Sequence, residues 1–312
     1  MTVTANCKKA GGISSCLIIV KQTFRALAEQ SGDERLLSAL DPSNPSAERI
    51  MESDRLHRET LEQVASILLD KGVEARCIKR APGEHFEVKE DLVITVGGDG
   101  TFLDASHSIL TDVPVLGVNS APISSFGNFC RVNRTSVEKL LNRILAGKEK
   151  PIELTRLRVT LDGVELSVPV LNEVFISHRS PAGTTRYLME FADKEGQTFT
   201  VLQKSSGLIV ASPAGTTGLN RSAKGTLMKT SARGFKYHNL AAFMEPGKTY
   251  YEQGEVEADK SVVVHSEMME GLVFIDGQHI CHPFPRGAKV VIDTGAPRLK
   301  AFVDPNRHLA FQ

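Results

Sequence analysis

The sequence predicts an α/β first half followed by a predominantly β second half, in a chain of 312 residues that is long enough for two domains. Three observations carry that prediction. The β-branched run Leu92-Val93-Ile94-Thr95-Val96 passes through Gly97-Gly98-Asp99-Gly100-Thr101 straight into a helical pattern with apolar Phe102, Leu103, Ile109 and Leu110. Short apolar runs alternate with helical periodicity as far as residue 150. From Pro151 onward, alternating apolar and polar residues broken by tight turns replace that grammar.

Taken in order, Cys16-Leu17-Ile18-Ile19-Val20 is wholly apolar and predicts a first buried strand. A polar segment containing Asp41-Pro42-Ser43-Asn44-Pro45 separates it from a helix over residues 47–71. Ile50, Leu61, Val64, Ile67 and Leu68 supply the buried face of that helix, and Gly72 stops it. A strand near 73–78, the central strand with its helix, a strand over 113–119 and a helix over 136–146 closed by Gly147 complete the first half. Strands alternating with helices imply parallel βαβ units. In the second half, residues 158–161, the Asp162-Gly163 turn and residues 164–176 read as hairpin strands. Further strands are expected at 187–191, 198–202, 208–210, 261–265, 272–275 and 288–292. The expected domains are residues 1–150 and 151–293, followed by a tail over 294–312.

Composition removes several classes of function. With 37 basic and 37 acidic residues the net charge is zero, which leaves no electrostatic case for nucleic acid or an anionic membrane as partner. The five cysteines, Cys7, Cys16, Cys77, Cys130 and Cys281, are scattered and odd in number, as expected for reduced thiols. The start Met1-Thr2-Val3-Thr4-Ala5-Asn6 lacks a signal-peptide core, and no run of about 18 apolar residues occurs. The expectation is a cytoplasmic protein acting on a small molecule. Walker, Gly-x-Gly-x-x-Gly, Gly-x-Ser-x-Gly and His-Glu-x-x-His signatures are missing, so P-loop enzymes, dehydrogenases, serine hydrolases and zincins lose ground.

The Gly97–Thr101 turn places backbone N–H groups and the positive end of a helix dipole at the carboxyl edge of a sheet, where open α/β sheets bind phosphorylated ligands. Asp99 has no use in a pure phosphate cradle, because a carboxylate repels a diphosphate. It suits a hydroxyl that must lose its proton, or a divalent cation. Phosphate donors flanking one acid fit phosphoryl transfer onto an alcohol. An Asx-type turn capping the helix accounts equally for an isolated Gly-Asp-Gly.

Later stretches add polar groups. Asn172-Glu173 opens the apolar run Val174-Phe175-Ile176 and offers acceptors and a donor at one spot, suited to a ribose or an amine-bearing ring, although a solvent-facing turn has the same composition. Between Ser205 and Gly225 an apolar strand leads into Pro213, Gly215, Thr216, Thr217 and Gly218, which clusters exposed backbone and hydroxyls, or simply connects two strands. Asp276-Gly277 reads by itself as a hairpin turn. His279, Cys281 and His282 do not make a metal site, because alternate strand residues face opposite ways and no second ligand pair follows.

Gly97-Gly98-Asp99-Gly100-Thr101 resembles the signature of the NAD kinase superfamily, which also contains diacylglycerol and sphingosine kinases and, more remotely, phosphofructokinases. Asn172-Glu173 is similar to that family's second motif, the 205–225 stretch to its third, and Asp276-Gly277-Gln278 to a late turn. Gly117-Val118-Asn119 resembles a segment ahead of a Gly-His-Leu stretch that Gly127-Asn128-Phe129 replaces. Four motifs in family order are far more specific than any one. Ser206 stands where most of the family has Asp, Gly218 where it has Ala and Leu219 where it has Tyr; Ser205-Ser206-Gly207 with the following Ala-Gly-Thr-Thr looks more like the NADH kinases of plants.

The resemblance implies a Rossmann-like α/β N-terminal domain, a β-rich dinucleotide-binding domain, and a C-terminal strand near residues 299–303 returning to the first domain. It implies ATP-dependent phosphorylation of the adenosine 2′-hydroxyl of NAD or NADH, assisted by Mg²⁺ or another divalent cation, in a homodimer or homotetramer. Asp99 takes the place of the general base, and Gly97, Gly98, Gly100 and Thr101 hold the donor phosphates. Asn119, Asn172, Glu173, Ser206, Thr217, Gly218, Ser222 and Gln278 bind the nucleotides. Loss of a carboxylate at Ser206 and of an aromatic ring at Leu219 predicts that NADH, whose ring is uncharged, is used at least as well as NAD. The first motif also fits a lipid kinase or a nucleotide-sensing protein without catalysis.

Overall fold

The computed structural model describes residues 12–80, 83–123, 126–192, 197–247 and 250–306. The expectations for residues 1–6, Cys7 and the end of the tail, 307–312, fall outside these. The chain divides into two compact units, one comprising the residues up to Ile152 together with Lys300–Asp304, the other built on Glu153–Leu299.

The first unit contains β1 (Ser15–Val20), α1 (Phe24–Ser31), α2 (Glu34–Ser38), α3 (Ala47–Asp70), β2 (Glu74–Lys79), β3 (Leu92–Gly97), α4 (Asp99–Ser108), β4 (Val115–Asn119), β5 (Cys130–Asn133) and α5 (Val137–Leu145). β2 and β3 both pair parallel with β1, β4 pairs parallel with β3, and β5 with β4. β1, β3 and β4 are buried along nearly their whole length, which is why they read as unbroken apolar runs. Ile18, Ile94, Val96, Leu116 and Val118 pack with Val64 and Leu68 of α3 and with Leu141 and Ile144 of α5. β2 is a charged edge strand, exposed except at Ile78, the usual protection against edge-to-edge pairing. β6 (Ile152–Leu154) and the last strand lengthen the sheet at its other end.

α1 and α2 form inside the segment read as polar and irregular. Only Ala28 of α1 is buried, and no residue of α2, so neither writes an apolar stripe into the sequence. Caps hold α1 instead: Thr23 Oγ1 accepts from Ala26 N, and Gly32 closes the helix in the left-handed conformation.

The second unit contains β7 (Arg158–Leu161), β8 (Val164–Glu165), β9 (Glu173–His178), β10 (Thr185–Ala192), β11 (Thr198–Ser205), β12 (Gly207–Ala211), the short α6 (Leu219–Ser222), β13 (Phe235–Leu240), β14 (Gln253–Val256), β15 (Val262–Ser266), β16 (Gly271–Ile275), β17 (Ile280–Pro283) and β18 (Lys289–Asp293). Two six-stranded sheets result, in the orders β11-β10-β15-β18-β7-β8 and β14-β13-β12-β9-β16-β17. One core draws on both: Val159, Tyr187, Met189, Val264 and Val290 from the first, and Val174, Ile176, Val210, Phe235 and Val273 from the second. The run expected as one strand over 164–176 divides into β8 and β9, because between them the continuous ladder gives way to an isolated bridge from Val170 to Leu157. β13 and β14 carry Lys236, His238, Asn239 and Glu255, a composition that hides strand character. The final strand, β19 (Leu299–Ala301), pairs parallel with β4 through Ala301 and Val115.

Candidate active site

In the first unit the site is built on strand ends. Val20 lies opposite both Val96 and Lys79, so the next residue on each strand falls into one row, Arg80, Lys21, Gly97. Lys21 N donates to Val96 O at 2.9 Å and Arg80 N to Val20 O at 2.8 Å. Asn119 extends the row opposite Gly97, whose carbonyl accepts from Ser120 N at 3.0 Å.

The glycine at 97 is a packing requirement. A methyl there would lie 2.3 Å from Thr101 Oγ1 and 3.1 Å from Lys21 Cβ. Thr101 itself is only 1 % exposed, so what it adds to the turn is shape, with its hydroxyl packed against Gly97. Gly98 caps α4 in an extended conformation, and Asp99 and Gly100 hold the first two helical positions, whose N–H groups have no acceptor inside a helix. The Arg80 guanidinium stands 3.2 Å from the space a methyl on Gly100 would take and is ion-paired with Asp104.

Asp99 is half-buried and fully oriented. Oδ1 accepts from Phe129 N and Oδ2 from Asn128 N, both at 2.7 Å. The Phe129 ring stacks on Phe102 of α4 with centroids 5.2 Å apart, which anchors the loop that supplies these amides. Gly127, at φ +67°, comes so near Asn119 that an added methyl would meet Nδ2 at 2.5 Å. Lys21 is held below the ordinary lysine range by burial and by Arg80. His57, 2.9 Å from Ser120 Oγ, is pushed down to about 4 by burial and by the Lys21 charge, and is neutral.

In the second unit the organiser is Asp276, at the β16–β17 turn. Its carboxylate accepts from Leu171 N at 2.8 Å, Asn172 N at 2.7 Å and Glu173 N at 3.0 Å. The 212–222 loop closes over the same segment. Ser212 N donates to Asn172 O at 2.9 Å, and a methyl on Gly215 would sit 1.9 Å from that oxygen. Gly218 lies where a methyl would be 3.2 Å from Asn172 Nδ2 and 3.4 Å from Glu173 Oε2. Glu173 is 8 % exposed with Oε2 unpartnered, and burial, with Asp276 adding to it, pushes its carboxyl up to about 8. Thr217 Oγ1 donates to Ala214 O at 3.0 Å, and exposed Ser222 reaches Gly218 O at 3.3 Å. Gln278 is exposed, two residues beyond Asp276.

Asn172, Glu173, Thr217, Gly218 and Ser222 therefore share one neighbourhood, and Gln278 follows the Asp276 that organises it. Ser206 does not belong to it. Ala211 lies opposite Glu173, whereas Ser206 precedes the other end of β12, roughly 17 Å away at 3.4 Å per residue. Sequence reasoning passed over Lys21, Arg80 and the Asn128 and Phe129 amides. The only available signal for Lys21 was a cation directly following a buried strand.

The description "ATP-NAD kinase N-terminal domain" fits residues 18–149. A probable NADH kinase of Oryza sativa subsp. japonica is 32 % identical over 270 residues, 81 % of this chain and 83 % of its own. An NADH kinase of Arabidopsis thaliana is 31 % identical over 279 residues, 83 % of this chain and 88 % of its own. Among solved structures, an NAD kinase from Archaeoglobus fulgidus in complex with ATP has a TM-score of 0.65 at 20 % identity, covering 95 % of this chain and 96 % of that one. Yeast NADH kinase complexed with NADH gives 0.66 at 15 % identity, covering 96 % and 87 %. Both likenesses speak to fold alone.

Proposed function

The chain belongs to the NAD kinase family, and we propose on that premise that it transfers the terminal phosphoryl group of ATP to the adenosine 2′-hydroxyl of NAD or NADH. The observation that carries the reading is the Asp99 carboxylate, fixed by two backbone amides at the first turn of α4 and one residue from the Gly97–Gly98 approach. Each carboxylate oxygen keeps a second lone pair, so an aimed carboxylate can still take the hydroxyl proton as the phosphoryl group arrives. The unpaired N–H groups of Asp99 and Gly100 suit the donor phosphates. Thr101 contributes by packing under the turn. Asn172 and Glu173 supply hydrogen-bonding groups for the acceptor, with Asp276 holding their backbone in place. Protonated at neutral pH, Glu173 offers both a donor and an acceptor.

A divalent cation enters this reading with the nucleotide, because Mg²⁺ is bound largely by substrate phosphates and water. Among the described residues no three His, Cys, Asp or Glu side chains are grouped to hold an ion. Preference for NADH finds its support in the names of the two plant relatives and not in Ser206, which stands apart from the Glu173 group. The reading also includes a cytosolic homo-oligomer; among the described residues no disulfide joins Cys16, Cys77, Cys130 or Cys281, and no helix is long and apolar enough to cross a membrane. Incubation with γ-labelled ATP and NAD, NADH or a diacylglycerol tests the activity. Label in a dinucleotide is expected. Label in the lipid supports a lipid kinase, and label in none supports a sensor without catalysis.

A further inference from the structure

We propose that the cavity beside Lys21, lined by residues of α1 and α3, binds the phosphate chain of the phosphoryl donor. This rests on the reading of the Gly97–Thr101 turn as the donor site. The cavity holds about 400 Å³ and is lined by two cations, Lys21 and Arg49, by Ser46 and Ser53, and by the apolar side of Ile50. Among the described residues lining it there is no Asp or Glu, and neither Lys21 nor Arg49 has a carboxylate partner.

That arrangement is unusual for this chain, which balances 37 basic against 37 acidic residues. A second cavity on α3 shows the ordinary pattern: Arg25, Arg55 and Arg58 are interleaved with Glu52, Asp54 and Glu59 and paired to them. Two cations without acids repel each other unless an anion joins them. The Lys21 cavity also takes in the start of α3, a helix of 24 residues. Its N-cap, Ser46, makes no side-chain capping bond, and although Ala47 N donates to Asn44 O at 3.0 Å, the Ser46 hydroxyl and the next amides of the first turn, at Glu48 and Arg49, are left for a ligand. Thr23 is excluded from that role, since its hydroxyl accepts from Ala26 N and donates to Asp54.

Lys21 joins the cavity to the turn. It is next to Gly97 in the row of strand ends, with its Cβ 3.1 Å from the space a Gly97 methyl would fill. A chain of phosphates that begins on the α4 amides reaches the cavity along this one side chain. Burial raises the cost of leaving the Lys21 charge unpaired, which strengthens its hold on an anion.

Calorimetric titration of the ligand-free full chain with inorganic tripolyphosphate tests the site without requiring turnover. Arg49 is exposed on a helix surface, so Arg49→Ala is expected to fold and to weaken tripolyphosphate binding by roughly tenfold or more, as for loss of a charged hydrogen bond. Lys21→Met is expected to weaken it at least as much, while Lys21→Arg retains most of the affinity. In the kinase assay the KM for ATP should rise by a similar factor and the KM for NADH should stay put. Equal affinity of wild type and Arg49→Ala, or no binding by wild type at millimolar tripolyphosphate, overturns the site. Weakened tripolyphosphate binding with an unchanged ATP KM overturns the donor as occupant and leaves free polyphosphate. If the chain shows no kinase activity at all, the binding arm still decides whether the site exists.

Discussion

Replacing Glu173 by Gln is expected to remove a weakness of the second unit that grows with pH. Glu173 opens β9 almost wholly buried, with Oε2 unpartnered, and burial holds its proton until about pH 8. In the unfolded chain a glutamate loses that proton near 4.3. Between those values the folded state binds more protons, so stability is greatest at the acid end, falls as pH rises and levels off above about 8. At about 1.4 kcal/mol per pH unit, the full span is worth about 5 kcal/mol, and about 4 kcal/mol of it is lost by pH 7. Glutamine has the same shape without the charge, so its curve should lack this fall with pH. All the chain's tyrosines, Tyr187, Tyr237, Tyr250 and Tyr251, belong to the second unit and there is no tryptophan, so tyrosine fluorescence reports its unfolding selectively. Urea denaturation at several pH values between about 5 and 9 should show wild type and Glu173→Gln converging at the acid end and separating by several kcal/mol at the alkaline end. Parallel curves would refute the burial argument for Glu173.

Two further outcomes follow from glycine packing and strand register. Gly218→Ala should cost less than about 1 kcal/mol, because a methyl 3.2 Å from Asn172 Nδ2 needs only a small adjustment, whereas Gly215→Ala meets the Asn172 carbonyl at 1.9 Å and should lose about 3 kcal/mol or displace Asn172; melting curves and NADH titration of both variants check the contrast. Ser206→Asp should shift the ratio of kcat/KM for NADH and NAD by less than about threefold, since residue 206 lies roughly 17 Å along β12 from Ala211, which faces Glu173, and a charge at that distance from the Glu173 group is largely screened. A tenfold shift would return Ser206 to the dinucleotide.

The parallel half was legible because β1, β3 and β4 are buried on both faces and must be apolar throughout. α3 and α5 were legible because each buries one stripe against that sheet. α1 and α2 bury almost nothing, and capping residues alone are a faint signal. The turn at 97–101 announced its chemistry through residue types that strands and helices otherwise avoid. Its surroundings were not legible, since Lys21, Arg80, Asn128 and Phe129 reach it through strand register and a loop, neither of which any local pattern encodes. Ser206 entered the site through the family resemblance alone, and the length of β12 that separates it from the Glu173 group is something no local pattern encodes.

The most direct test is the rate at which Asp99→Asn makes NADPH from NADH and ATP, read with an NADP-specific dehydrogenase that responds only to a 2′-phosphate, beside NADH binding by calorimetry. The substituted amide must point its NH₂ at the N–H of Asn128 or Phe129, so a loss of about 1–3 kcal/mol in stability is expected as well, and the assay belongs below the variant's melting temperature. If the Asp99 carboxylate takes the hydroxyl proton, wild type forms NADPH and the folded variant is slower by roughly 10²–10⁴-fold while binding NADH nearly as well. A folded Asp99→Asn protein that turns over at the wild-type rate, or a wild-type product that the dehydrogenase does not recognise, would contradict it.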